Sequence, residues 1–207
     1  MLTKNINFKG FLIKSKNKNI KKIFHNLKKD YVLGKEKMLT SFSEDYKYSF
    51  GKKLIKKYKK FNNFRIIGMG GSILGAEAIY DFMKHKIKKN FSFVDNLENK
   101  IDTKSNNKNV NLIISKSGNT LETISNSNIL INNKKNIFIN ENQNSYLNNL
   151  AMKIKSDIIE HKNFIGGRYS VLSEVGMLPA ELMGLKPIKF KRFNYLIKNK
   201  SFVNQLI

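Results

Sequence analysis

Cysteine is absent from the chain, which excludes a disulfide framework and any thiolate chemistry and is compatible with an intracellular location. No long apolar run is present either. No stretch reaches the roughly 18 consecutive apolar residues of a membrane-spanning helix, and Met1-Leu2-Thr3-Lys4-Asn5-Ile6-Asn7-Phe8 has no hydrophobic segment behind its first lysine. The expectation is a soluble, cytoplasmic protein with no membrane partner. Acidic residues are scarce: 15 Asp and Glu stand against 39 Lys and Arg, for a formal charge of +24. Such a balance raises the question of nucleic acid. Yet the lysines are dispersed and travel with asparagine and isoleucine, as in Asn17-Lys18-Asn19-Ile20-Lys21-Lys22 and Asn132-Asn133-Lys134-Lys135-Asn136. No interleaved aromatic platform accompanies them. Compositional bias on solvated faces is therefore preferred to nucleic-acid binding, though the field would still draw anionic metabolites.

What is present is an alternation of short apolar runs and helical patterns across 207 residues, 41% of them hydrophobic. Leu39, Phe42, Tyr46, Phe50 and Leu54 recur at three- and four-residue steps and predict one amphipathic helix. Phe64-Arg65-Ile66-Ile67 reads as a buried strand closed by Gly68-Met69-Gly70-Gly71, with a helix from Ser72 to about Lys84. Phe91 to Val94 and Val110 to Ile114 read as further strands, followed by a helix from Asn119 to about Ile131. Asn136 to Ile139 and Asp157 to Ile159 complete a set of five, with a helix from Tyr146 to Lys155 between them. Lys100 to Asn109 reads as a polar surface loop. Strands separated by helices give βαβ units, a mainly parallel five-stranded sheet, and ligand sites beyond the carboxyl ends of the strands.

Three loops at those ends carry chemistry. Ser115-Lys116-Ser117-Gly118-Asn119-Thr120-Leu121-Glu122-Thr123 surrounds a glycine with hydroxyls at a strand-to-helix junction. Inward-turned amides, a helix N-terminus and the hydroxyls of Ser115, Ser117 and Thr120 make a phosphate cradle; simple helix capping is the competing reading. Gly68-Met69-Gly70-Gly71-Ser72-Ile73-Leu74-Gly75 lacks the third glycine of a dinucleotide fingerprint, since Ile73 stands there, and lacks the lysine of a nucleotide phosphate loop. Its glycines fit close approach of backbone to a ligand or tight strand-to-helix packing. Arg168, behind Gly166-Gly167 after the last strand, is a candidate clamp for developing negative charge. No metal-ligand spacing accompanies His25 or His85, and His161 is read as structural.

Taken together, Gly68–Gly75, Ser115–Thr123 and Gly166–Ala180 resemble, in order and spacing, the motifs of the phosphoglucose isomerase family, over approximately residues 40 to 185. The resemblance implies an αβα sandwich, the sugar isomerase or SIS-type, flavodoxin-like domain, at residues 61–185. Residues 1–60 would be a lysine-rich helical segment on its core, and 186–207 a tail leading into an absent second half. It implies that Ser115, Ser117 and Thr120 hold the 6-phosphate with the backbone of Lys116. Gly70, Gly71 and Ser72 would line the sugar, and Arg168 would stabilise a cis-enediol(ate) as glucose 6-phosphate and fructose 6-phosphate interconvert. No metal or organic cofactor is implied, and family members pair as homodimers. Glu122 is expected to be a first-turn or orienting carboxylate and Glu174 a helix residue. The general base and the ring-opening group have no match, so the expectation is an incomplete isomerase. A non-catalytic sugar-phosphate sensor is the alternative, and a nucleic-acid-binding protein the remote one.

Overall fold

A computed structural model describes residues 22–23, 25–27, 29–30, 33–97, 109–131 and 135–191. The Lys100–Asn109 loop expectation lies outside the described residues except for Asn109. The chain divides into two compact units, residues 47–187 and residues 1–46 with 188–207. In the second of these, Lys37–Phe42 forms a 3-10 turn and the Lys191 ammonium lies 4.5 Å above the Tyr46 ring.

The larger unit holds α1 (Lys52–Tyr58), β1 (Asn63–Gly68), α2 (Leu74–Met83), β2 (Asn90–Val94), β3 (Val110–Ser115), α3 (Leu121–Leu130), β4 (Asn136–Asn140), α4 (Tyr146–Lys153), β5 (Asp157–Glu160) and α5 (Glu174–Leu182). The five strands pair in the order β2-β1-β3-β4-β5, every neighbour parallel. The sequence expectation of an α/β fold with five strands holds, and the sheet is wholly parallel. The chain steps one way from β1 to β2 and the other way from β3 through β4 to β5. Right-handed crossovers therefore put α2 on one face and α3 and α4 on the other, which makes the αβα sandwich. Helix α3 lies on β1 and β3, α4 on β4 and β5, and α5 packs with α1 and α2.

Because the sheet is covered on both faces, its central strands read as continuous apolar runs. Ile66, Ile67, Leu112, Ile113, Ile114, Ile137, Phe138 and Ile139 are all fully buried, each such side chain contributing about 1.5–3 kcal/mol relative to exposure. Ile67, Ile113 and Phe138 form one core cluster with Leu130 of α3 and Leu147 and Ala151 of α4.

The single helix expected across Leu39 to Leu54 is corrected by the structure. A 3-10 turn ends at Phe42, extended backbone follows at Ser43 (φ −74°, ψ 147°), and α1 begins only after Gly51. The apolar spacing was real, but Ser43 turns the chain by accepting from the Asp45 N–H (3.2 Å), and the Ser49 N–H is drawn off to the Glu174 carboxylate (2.9 Å). Periodicity cannot register that competition.

Candidate functional site

Strand order reverses between β1 and β3, and their carboxyl ends are level, Gly68 pairing with Ile114. In a 2-1-3-4-5 sheet this is the switch point where the loops diverge and leave a crevice. After β1, Gly70 adopts φ +55°, a left-handed conformation that favours glycine, and Gly70–Ser72 makes one 3-10 turn into α2. A side chain on Gly71 would run into the carbonyl of Gly167 and lie 2.9 Å from the Arg168 nitrogen. The glycine turn and the arginine segment are thus in backbone contact. Ser170 Oγ lies 2.6 Å from the Gly167 carbonyl and 3.2 Å from that of Gly71, so its proton is shared between the two segments. Val171 fills the space that Gly75 and Gly176 leave, locking α2, the 3-10 turn Gly167–Leu172 and α5 together.

The loop after β3 folds on its own hydroxyls. Ser115 Oγ lies 2.9 Å from Thr120 Oγ1 and accepts from the Gly118 N–H (3.1 Å), while Ser117 Oγ accepts from the Asn119 N–H (3.2 Å). Thr120 occupies the N-cap of α3 but its side chain makes no capping bond. Nor does α2 have a side-chain cap, because Ile73 stands at its N-cap. By contrast, α4 and α5 carry serine caps, Ser145 and Ser173. The two helices that start at the switch point therefore present first-turn N–H groups with no side-chain acceptor, the arrangement that draws an anion. Glu122 stands half-buried in the first turn of α3.

Arg168 is exposed, and among the described residues it makes no ion pair. Ser115, Thr120 and their loop meet the arginine segment through Lys116, whose Nζ donates to the Asn163 carbonyl (2.6 Å) ahead of Gly166. Nearby, His161 is buried and its Nδ1 lies 3.1 Å from the Lys162 carbonyl. Burial, reinforced by Lys116, holds its pKa below the usual histidine value against the opposing pull of that carbonyl and of Glu174 and Glu141. Glu174 is fully buried at the start of α5 and accepts from the Ser49 N–H. Among the described residues, no group of three or more His, Cys, Asp or Glu side chains could hold a metal ion.

Sequence reasoning missed Ser170, Gln143 and Asn148. Gln143 Nε2 donates to the Ser117 carbonyl (3.1 Å), and Asn148 Nδ2 holds the carbonyls of Glu141 (2.8 Å) and Gln143 (2.7 Å). Nothing local marks these residues, since an amide side chain in a polar loop reads as solvated.

The sequence model of the phosphoglucose isomerase family matches residues 30–205. A glucose-6-phosphate isomerase of Methanocaldococcus jannaschii is 34% identical over 62% of this chain and 35% of its own length. One from Borreliella burgdorferi is 34% identical over 58% of this chain and 26% of its own, and one from Acholeplasma laidlawii 32% identical over 73% and 43%. The chain thus spans less than half the length of these relatives. A hypothetical protein of Thermus thermophilus shares the fold, with a TM-score of 0.65 at 19% identity over 83% of this chain and 46% of that one.

Proposed function

Since the chain belongs to the phosphoglucose isomerase family, we propose that the switch-point crevice holds a hexose 6-phosphate and forms part of a glucose-6-phosphate isomerase site. Ser115, Ser117, Thr120 and the backbone of Lys116 take the phosphate, and Gly70, Gly71 and Ser72 line the sugar. The observation that carries the reading is the convergence of two helix N-termini without side-chain caps on one crevice, with Arg168 fixed beside it by the Gly71–Gly167 contact. The phosphate dianion replaces the missing caps.

Aldose–ketose isomerisation moves one proton between C1 and C2, so it consumes no electron acceptor and needs no redox cofactor. Removing the C2 proton leaves an enediolate, whose oxygen charge Arg168 stabilises as a fixed cation. A carboxylate base must take and return that proton. No described residue is assigned that role, and a homodimer of a larger whole is the setting in which the site is expected to be complete.

The test is equilibrium binding and turnover of fructose 6-phosphate by the 207-residue chain, alongside binding of a phosphosugar hydroxamate that mimics the enediolate. The expected result is binding of both ligands, the hydroxamate more tightly, without efficient turnover. Arg168→Ala should weaken the hydroxamate about tenfold or more and fructose 6-phosphate little. Equal affinities insensitive to Arg168 would favour a sugar-phosphate sensor. No binding of either ligand by folded protein would overturn the cradle itself.

A further inference from the structure

Four consecutive residues of the loop after β3 are held from one side by the segment that joins β4 to α4. The Glu141 N–H donates to the Lys116 carbonyl (3.0 Å) and the Leu147 N–H to the Gly118 carbonyl (3.0 Å). Gln143 Nε2 donates to the Ser117 carbonyl (3.1 Å), and the Tyr146 N–H to Asn119 Oδ1 (2.9 Å). Ser145 stands where a side chain at Gly118 would be, and Gly118 itself has φ +67°. A trans peptide carries its C=O and N–H on opposite sides. Tying the carbonyls of residues 116–118 to one wall therefore turns the following N–H groups toward the other side. Gly118 and Asn119 spend theirs on Ser115 and Ser117, whereas the Ser117 N–H finds no acceptor among the described residues.

On the phosphate reading above, we propose that the Glu141–Leu147 segment is the template that presets the phosphate loop, and that Gln143 is its positioning residue. An anion binding to backbone amides gains most when those amides are already aimed, because ordering a loop at the moment of binding subtracts from affinity. Three of the four donors are backbone N–H groups, which only proline would remove, and Gln143 supplies the one side-chain donor, so it is where the template is tested with least disturbance of the backbone. The wall is itself held by Asn148 through two carbonyls. The wall borders an open cleft of about 410 Å³ that Glu141, Gln143, Asn149 and Met152 help to line. Leu147 anchors the α4 end of the wall in the core, and hydrogen bonds hold the exposed stretch before it.

Gln143→Met keeps the length of the side chain and removes the donor; Asn142→Met makes the same kind of change one residue away, on an exposed side chain. Gln143→Met is expected to weaken inorganic phosphate and fructose 6-phosphate by the same factor, about three- to tenfold, as the loss of one net hydrogen bond predicts. Amide hydrogen exchange across residues 115–121 should speed up in the same variant while the melting temperature falls by no more than a few degrees. Asn142→Met should match the parent in all three measurements. Parent-like affinity and exchange in Gln143→Met would overturn the proposal. If the parent binds neither ligand, the phosphate reading is what fails, and the exchange comparison decides the template claim alone.

Discussion

Gly71 and Gly167 touch in space and differ in what they tolerate. A Cβ on Gly71 meets backbone of the arginine segment, which cannot swing aside as a flexible side chain would, whereas a Cβ on Gly167 meets nothing within 4 Å. Gly71→Ala is expected to push the two segments apart, lower the melting temperature by several degrees and weaken sugar-phosphate binding at least tenfold. Gly167→Ala should change neither, and calorimetry beside a binding titration separates the two outcomes. His161 gives a residue-scale prediction in pH. Its folded pKa lies below its unfolded value near 6.5, so its neutral form stabilises the fold fully above that pH, and the contribution is lost as pH falls toward the folded pKa. Urea unfolding of the parent and of His161→Gln, compared between about pH 7.5 and 5, should show the parent losing stability that the variant keeps. Parallel curves would mean that His161 titrates alike in both states.

Helix α1 is fastened to the far edge of the sheet by one polar knot. The Tyr58 hydroxyl and Lys57 Nζ both donate to Asp157 Oδ2 at 2.6 Å, joining the end of α1 to the start of β5. Burial raises the pKa of Asp157, but the hydrogen bonds from Lys57 and Tyr58 and the charge of Lys57 outweigh it and hold the carboxyl low. Burial, and then Asp157, push the Tyr58 hydroxyl well above its usual range, so it remains a donor throughout. The knot therefore stabilises the protein above the unfolded pKa of Asp157, near 3.8, and is lost as pH drops through the still lower folded value. Tyr58→Phe is expected to cost about 1 kcal/mol at pH 7, and clearly less once Asp157 is protonated. Denaturant titrations at pH 7 and through a series descending below pH 3.8 check this; a pH-independent loss would assign the effect to the hydroxyl's other acceptor, the Asn136 carbonyl at 3.4 Å.

Across the whole molecule, a charge of +24 with few acids means that lysines repel one another more than they pair. The salt bridges Lys35–Asp30, Lys57–Asp157 and Lys162–Glu160 all join at least partly exposed groups, and such pairs contribute little. Added salt shortens the Debye length to about 10 Å at 0.1 M and screens that repulsion. The melting temperature should accordingly rise by a few degrees between about 20 and 300 mM sodium chloride, and fall or stay level if the lysines are compensated in the fold. Among the described residues no helix is long and apolar enough to cross a membrane.

The strands, the glycine turn, the hydroxyl loop and the Gly-Gly-Arg segment were legible in the sequence, because each is a property of a few neighbouring residues: an apolar run, a turn residue, a helix start. Their convergence on one crevice also followed, since parallel strands with right-handed crossovers leave little choice of where their carboxyl-end loops go. Which atoms touch was another matter. Ser170 reaches Gly71 across 99 residues of chain and Gln143 reaches Ser117 across 26. The break in the expected helix before α1 combines a local turn at Ser43 with a contact from Ser49 to Glu174, 125 residues beyond it. Local composition determined the elements and the chemistry of the loops; only tertiary packing decided which backbone groups are tied and which are left for a ligand, because that depends on contacts that no short stretch of sequence contains.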